Sequence, residues 1–165
     1  MKKIVMLMLV MASMSVKVNA QWYAAGTAGI GYIDDSFQMI LKPSVGYEID
    51  NRWAVGIGAG VGVANGWGYV IIDPYVRFNC WNNEKIFIDV KGKSELWLGH
   101  GNGIANIGFV PSLRYVINDN WQIAGDFGLF GVQNFNDSWY PAFGITAATS
   151  GHAHMPVELT AIYKF

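Results

Sequence analysis

Four residues near the C-terminus have types and spacing suited to nucleophilic chemistry. Ser150, His152, His154 and Glu158 share one strand parity. A hydroxyl beside an imidazole that a carboxylate orients is the usual way to activate a serine. The same imidazoles, joined by His100, offer nitrogen ligands to a metal ion. The plainer reading is a surface loop with solvated histidines. No catalytic, cofactor-binding or metal-ligating residue is assigned on this basis. A second set is ionic. Asp73 and Arg77 lie four apart on one strand parity, ~13 Å apart along an extended chain at ~3.3 Å per residue. They cannot pair with each other and are expected to pair across strands, with Arg114, Asp89 or Asp126. Such a set reads either as an ion or proton path or as a network filling a closed interior.

The elements that would position these groups are strands. In AVGIGAGVGVANGWG, Ala54–Gly68, glycines recur at 56, 58, 60 and 62. A dinucleotide-binding loop needs glycines at i, i+2 and i+5, so period two excludes it and indicates a strand. One face carries Val55, Ile57, Ala59, Val61 and Val63; the other, with Ala54, is nearly bare. A bare face suits a crowded concave side, where arginines and aromatics from other strands need room.

Alternation recurs along the chain. Trp22, Ala24, Gly26, Ala28, Ile30 and Tyr32 share a face, as do Phe37, Met39, Leu41, Pro43, Val45, Tyr47 and Ile49. After the glycine strand come Val70, Ile72, Pro74, Val76, Phe78 and Cys80, then Ile86, Ile88 and Val90. The series continues with Ala105, Ile107, Phe109, Pro111, Leu113, Tyr115 and Ile117, then Trp121, Ile123, Gly125, Phe127 and Leu129, and closes with Met155–Phe165. The opposite faces hold Gln38, Lys42, Ser44 and Glu48; Arg52; Asp73, Tyr75, Arg77 and Asn79; Asp89 and Lys91; Asn106, Ser112 and Arg114; Gln122 and Asp126; Glu158, Thr160 and Lys164. Charges of both signs occupy the face that a soluble barrel keeps oily. The expected fold is therefore all-β, an eight-stranded antiparallel up-and-down transmembrane β-barrel with lipid outside and a polar interior. Eight strands leave room inside for side chains only.

The links alternate in length. Asp50-Asn51, Asn82-Asn83-Glu84 and Asn118-Asp119-Asn120 are tight polar turns. Between them lie longer links at 33–36, 64–68, about 91–103 and about 132–151. The last two are expected to be loops displaying Trp97, Phe135, Trp139, Tyr140 and Phe143. A hairpin unit repeats: Pro43-x-Val45-x-Tyr47-x-Ile49, turn, Trp53 matches Pro111-x-Leu113-x-Tyr115-x-Ile117, turn, Trp121. It puts Tyr47, Trp53, Tyr115 and Trp121 at one height, as in an interfacial aromatic girdle. Pro43, Pro74 and Pro111 each delete a ladder donor and are expected at local bulges.

The ends of the chain bear on destination. MKKIVMLMLVMASMSVKVNA has a basic start, a short apolar run and a Val18-Asn19-Ala20 cleavage site, which reads as a signal peptide over 1–20. Without Lys2, Lys3 and Lys17, the remaining domain over 21–165 keeps 8 basic and 12 acidic residues, net −4, and no basic patch points to nucleic acid. One cysteine, Cys80, excludes an intrachain disulfide. With 52% of residues hydrophobic and no mature apolar run of about 18, the apolar surface needs another outlet. Leu159, Ala161, Tyr163 and Phe165 alternate to the last residue.

On this alternation, these turns, the hairpin unit and Phe165, the chain over 21–165 resembles the small eight-stranded outer-membrane barrel superfamily, which includes the transmembrane domain of outer-membrane protein A and the X-type surface barrels. The resemblance implies a Gram-negative-type outer membrane with loops facing outwards, contact with membrane lipid, and recognition of Phe165 by the outer-membrane assembly machinery; the aromatics of loops 91–103 and 132–151 read either as candidate surfaces for a ligand or as interfacial anchors. It implies no cofactor. The expected function is a non-enzymatic, porin-like barrel with a structural or surface-interaction role and a plugged lumen. One alternative is a lipid-modifying enzyme similar to lipid A deacylases, using Ser150, His152, His154 and Glu158. Those enzymes show a His-x-Ser pattern on the strand, from which His152-Ala153-His154 departs. The other alternative is a secreted lipocalin-like ligand-binding barrel.

Overall fold

The structure is a computed structural model that describes residues 20–33, 36–64, 66–99, 103–135, 138–144 and 157–165. Expectations for the signal peptide and for His100, Ser150, His152 and His154 fall outside these residues. Ten strand segments are described: β1 (Gln21–Ile33), β2 (Ser36–Glu48), β3 (Trp53–Ala64), β4 (Trp67–Asn82), β5 (Ile86–Leu98), β6 (Ile104–Val116), β7 (Trp121–Phe127), β8 (Leu129–Phe135), β9 (Ser138–Gly144) and β10 (Val157–Lys164). All pairings are antiparallel. β6 pairs with β7 through Ser112↔Asp126 and with β8 through Phe109↔Phe130, so β7 and β8 form one wall strand. β10 pairs with β7, and β9 with β8, which puts both in the eighth wall position. Pairing of β5 with β6 and of β1 with β10 closes the wall. The result is a closed eight-stranded antiparallel β-barrel.

Closure divides each strand's side chains between an outer and an inner surface; among the described residues β9 pairs with β8 alone. The outer surface is apolar: Trp22, Leu41, Val45, Ile57, Val61, Val76, Phe109, Leu113, Ile123 and Leu159 are all exposed. The polar parity points inward and is buried, including Gln38, Lys42, Asp73, Arg77, Asp89, Arg114 and Glu158. Three hairpin turns lie at one end, each closed in the same way. Asp50 Oδ1 accepts the amides of Arg52 and Trp53, both at 2.7 Å. Asn83 Oδ1 accepts those of Lys85 and Ile86 at 2.9 and 2.7 Å. Asn118 Oδ1 accepts those of Asn120 and Trp121 at 3.0 and 2.8 Å. A short side-chain acceptor at the first turn position explains why Asp and Asn recur there. The first and last described strands meet at this end too, where the Phe165 amide donates to the Trp22 carbonyl at 3.2 Å.

Several expectations need correction. The strand before the third of the longer links does not stop at Val90: β5 runs to Leu98, so Lys91–Leu98 is wall rather than loop. Trp97 is consequently buried inside the barrel, not displayed on a loop. Trp139, Tyr140 and Phe143 are exposed but belong to strand β9, within the link expected over 132–151. Leu129 does not share the outer face of Phe127. The register between β6 and its partner changes by one residue between Ser112↔Asp126 and Phe109↔Phe130. Gly128 sits there at φ 71°, a left-handed conformation that favours glycine in a bulge. The inserted residue turns Leu129 inward, where it packs with Val110 and Ala142. Pro111 lies opposite this irregularity. Pro43 and Pro74 do not cause register shifts: pairing lapses beside each and resumes in the same register, Leu41↔Val61 to Ser44↔Gly58 and Ile72↔Leu96 to Tyr75↔Lys93. A missing donor is absorbed by a locally open ladder without an extra residue. The one register change in β4 instead falls at Cys80, between Asn79 and Trp81.

Candidate functional site

The candidate site is the barrel interior. Among the described residues, six cations and six carboxylates are linked there by N···O contacts of 4.0 Å or less. They form three layers. In the layer towards the longer links, Lys42 Nζ lies 2.8 Å from Asp73, 2.6 Å from Glu95 and 3.2 Å from Glu158. Lys93 adds contacts of 2.9 Å to Glu158 and 3.6 Å to Glu95. Two cations against three carboxylates leave a formal charge of −1. The middle layer is the neutral pair Lys91–Asp126 at 2.6 Å. In the layer near the turns, Arg77 donates to Glu48 at 2.7 Å, Lys164 donates to Glu48 at 2.6 Å, and Arg114 Nε donates to Asp89 at 2.8 Å. Arg77 stands 3.9 Å from Asp89. Three cations against two carboxylates give +1.

Neutral hydrogen bonds and rings fill the space between. Tyr23 and Tyr75 join through their hydroxyls at 2.9 Å, and Thr27 and Thr160 do the same at 2.9 Å. The Arg77 guanidinium lies 5.3 Å from the Tyr23 ring centre, and that of Arg114 4.2 Å from Phe87, both within cation–π range. Gln133 donates to Asn106 at 2.7 Å, which donates to Glu95 at 3.3 Å. Towards the longer links the polar layers are capped by an apolar cluster of Ile40, Ile71, Trp97 and Ile104, with Tyr69 packed on it.

The glycine face of β3 serves this filling. A Cβ at Gly56 would lie 2.5 Å from the Tyr75 ring and hydroxyl, and one at Gly62 would lie 2.8 Å from Ile71 and 3.1 Å from Trp97. At Gly60 the obstacle is backbone, the Leu41 carbonyl on β2. So the nearest neighbours that Gly56, Gly60 and Gly62 admit are aromatic and aliphatic side chains and the backbone of a close strand. Gly58 is different, with no neighbour nearer than 3.5 Å. It borders a mid-lumen cavity of 20 Å³, about the space one water needs.

Most polar residues singled out from the sequence come together here. Asp73 and Arg77 do pair across strands, but Asp73 pairs with Lys42, which was not among its expected partners. Arg52 is not part of the packed interior: it is exposed in the first turn. Lys93 and Glu95, which the strand boundary at Val90 left out, are central. Their alternation with Lys91 and Trp97 was the available signal. Glu158 is occupied by Lys93 on Oε1 and by Lys42 on Oε2, while the serine and histidines expected to act with it lie outside the described residues.

Chemically, the arrangement occupies the barrel's bore with mutually neutralised charge. The class it defines is a closed β-barrel whose interior is polar and whose exterior is apolar. No known family model matches the chain, and no curated protein matches it.

Proposed function

We propose that this chain is a non-enzymatic outer-membrane β-barrel whose strands anchor it in lipid, whose longer links act at the cell surface, and whose lumen is plugged. The single observation that carries this reading is the inverted distribution of polarity. Twelve charged side chains are paired inside, while leucines, valines, isoleucines and tryptophans cover the outside. A barrel dissolved in water gains nothing from that arrangement, because it exposes what the hydrophobic effect would bury. In lipid a closed barrel pairs its backbone groups from strand to strand and matches both solvents.

The aromatic distribution supports the same reading. Near the turns, Trp22 stacks with Tyr47 at 5.1 Å, Trp53 with Phe78 at 4.6 Å and Trp121 with Tyr163 at 5.1 Å. Phe37, Trp67 and Trp139 are exposed towards the other end. Aliphatic side chains occupy the band between, as between two interfacial girdles. In this reading the short turns face the periplasm, and Phe165 is the residue that the assembly machinery recognises. A lipocalin-like role is disfavoured, since the mid-lumen cavity of 20 Å³ is far below the ~300 Å³ at which ligand pockets begin, and the 260 Å³ opening near the turns is lined largely by charged residues.

Envelope fractionation tests the proposal. The mature protein is expected in the outer-membrane fraction, migrating faster in gels before boiling than after. Recovery as a soluble periplasmic protein would overturn it.

A further inference from the structure

Below the ionic layer nearest the turns, the barrel opens into a vestibule of 260 Å³. Arg52, Arg77, Arg114 and Lys164 line it, with Glu48 and Asp50 as the only carboxylates on its wall among the described residues. Both carboxylates are committed. Glu48 accepts Arg77 on Oε1 and Lys164 on Oε2, and Asp50 Oδ1 holds the turn amides of Arg52 and Trp53. The adjoining layer, counting the Asp89 that neutralises Arg114, already carries +1. Arg52 adds a positive charge and Asp50 a negative one, so the wall with its adjoining layer keeps a net +1, and the Arg52 side chain has no hydrogen bond or ion pair among the described residues. The −1 of the Lys42 layer does not relieve this excess, because the Lys91–Asp126 pair and the Tyr23–Tyr75 contact lie between the two layers.

We infer that this vestibule is a binding site for a phosphate group. Arg52 supplies a forked guanidinium with no partner among the described residues, which suits a tetrahedral oxyanion better than a spherical one, while Arg114, whose Nε and Nη2 hold Asp89, adds charge rather than a free fork. Arg77 and Arg114 are fixed by Glu48, Asp89 and Gln122, so a ligand need not order them. Arg52, exposed in the turn, closes over the anion from outside. The inference depends on the vestibule alone and stands whatever solvent surrounds the outer wall. A phosphate on a soluble molecule and one on a lipid headgroup offer the same oxygens.

The test is calorimetric titration of inorganic phosphate into the full-length mature protein in alkyl-glucoside micelles, which contain no phosphate, with chloride holding ionic strength constant. Saturable binding is expected. Arg52→Gln is expected to weaken it about tenfold, which corresponds to about 1.4 kcal/mol. Arg52→Lys, keeping the charge without the fork, is expected to fall between. Lys85→Gln removes the same charge from the neighbouring turn, where Lys85 does not line the vestibule, and is expected to change affinity less than about twofold. Gel mobility before boiling reports that each variant is folded. Repeating the titration with a short-chain phosphatidylglycerol separates the sources: competition assigns the site to a headgroup, and no competition to soluble phosphate. Absence of saturation, or equal weakening by Arg52→Gln and Lys85→Gln, would overturn the inference.

Discussion

Replacing Lys42 by methionine tests whether the lumen is held as a dry ionic lattice. Lys42 Nζ contacts Asp73, Glu95 and Glu158 at 2.8, 2.6 and 3.2 Å. Its side chain is 2% exposed, and those of its partners are 10%, 0% and 4% exposed. Methionine retains most of the aliphatic volume, so the change is mainly electrostatic. The layer would pass from two cations and three carboxylates to one cation and three carboxylates. Removing one partner of a buried ion pair costs about 3–5 kcal/mol, because the other is left desolvated and unpaired. Lys93 remains near Glu158 and Glu95 at 2.9 and 3.6 Å and carries part of the load, which puts the expected loss near 3 kcal/mol. Adding Glu95→Gln removes one uncompensated charge and is expected to recover at least about 1 kcal/mol, within the usual coupling of contacting residues. The assay is urea unfolding in lipid vesicles, followed by tryptophan fluorescence. A Lys42→Met variant within about 0.5 kcal/mol of the parent, the level typical of an unconstrained surface change, would refute the reasoning. So would a double variant no better than the single one. Either result would mean that water, rather than protein, already solvates these carboxylates.

Three further outcomes are expected. Purified protein in planar bilayers is expected to show little or no open-channel current, since ion pairs and the cap of Ile40, Ile71, Trp97 and Ile104 fill the bore; a large, stable, solute-permeable conductance would contradict the plug. Gly62→Leu is expected to cost about 1–3 kcal/mol by overpacking, because a Cβ added there would already meet Ile71 at 2.8 Å. Gly58→Ser, beside the small cavity, is expected to be mild, and the reverse order in the same unfolding assay would discredit the packing account. Gly128→Ala is expected to destabilise by about 1–2 kcal/mol, the cost of a left-handed conformation for a residue with a Cβ; an unchanged midpoint would place no demand on that bulge.

The barrel was legible where one strand face is uniformly apolar and the other polar. From Phe37 to Ile49 every second residue is apolar, with Gln38, Lys42, Ser44 and Glu48 between, and both parities read correctly. β5 was harder. Beyond Val90 its outward positions are Gly92 and Ser94 before Leu96 and Leu98, so the contrast fades although the inward series Lys91, Lys93, Glu95 continues. Leu129 was misplaced because one extra residue at Gly128 inverts the parity of β8, and a glycine alone does not announce a bulge. The identity of the ion pairs was not legible at all. Lys42 on β2 reaches Asp73 on β4, Glu95 on β5 and Glu158 on β10. Contacts across the bore depend on the stagger of the strands around the closed wall, which no local pattern encodes.

The central claim, that lipid is the outer solvent and the polar lumen the inner one, is tested most directly at Ala59. It lies near the middle of β3 and its side chain points outward, paired beside Ile72. Reversible unfolding of Ala59→Arg and Ala59→Leu in lipid vesicles gives opposite answers for the two orientations. The account expects Ala59→Arg to lose about 2–4 kcal/mol, as for a basic residue near the bilayer midplane, and Ala59→Leu to be tolerated because lipid yields to it. A harmless Ala59→Arg together with a disruptive Ala59→Leu would contradict it and exchange the inside of the barrel for the outside.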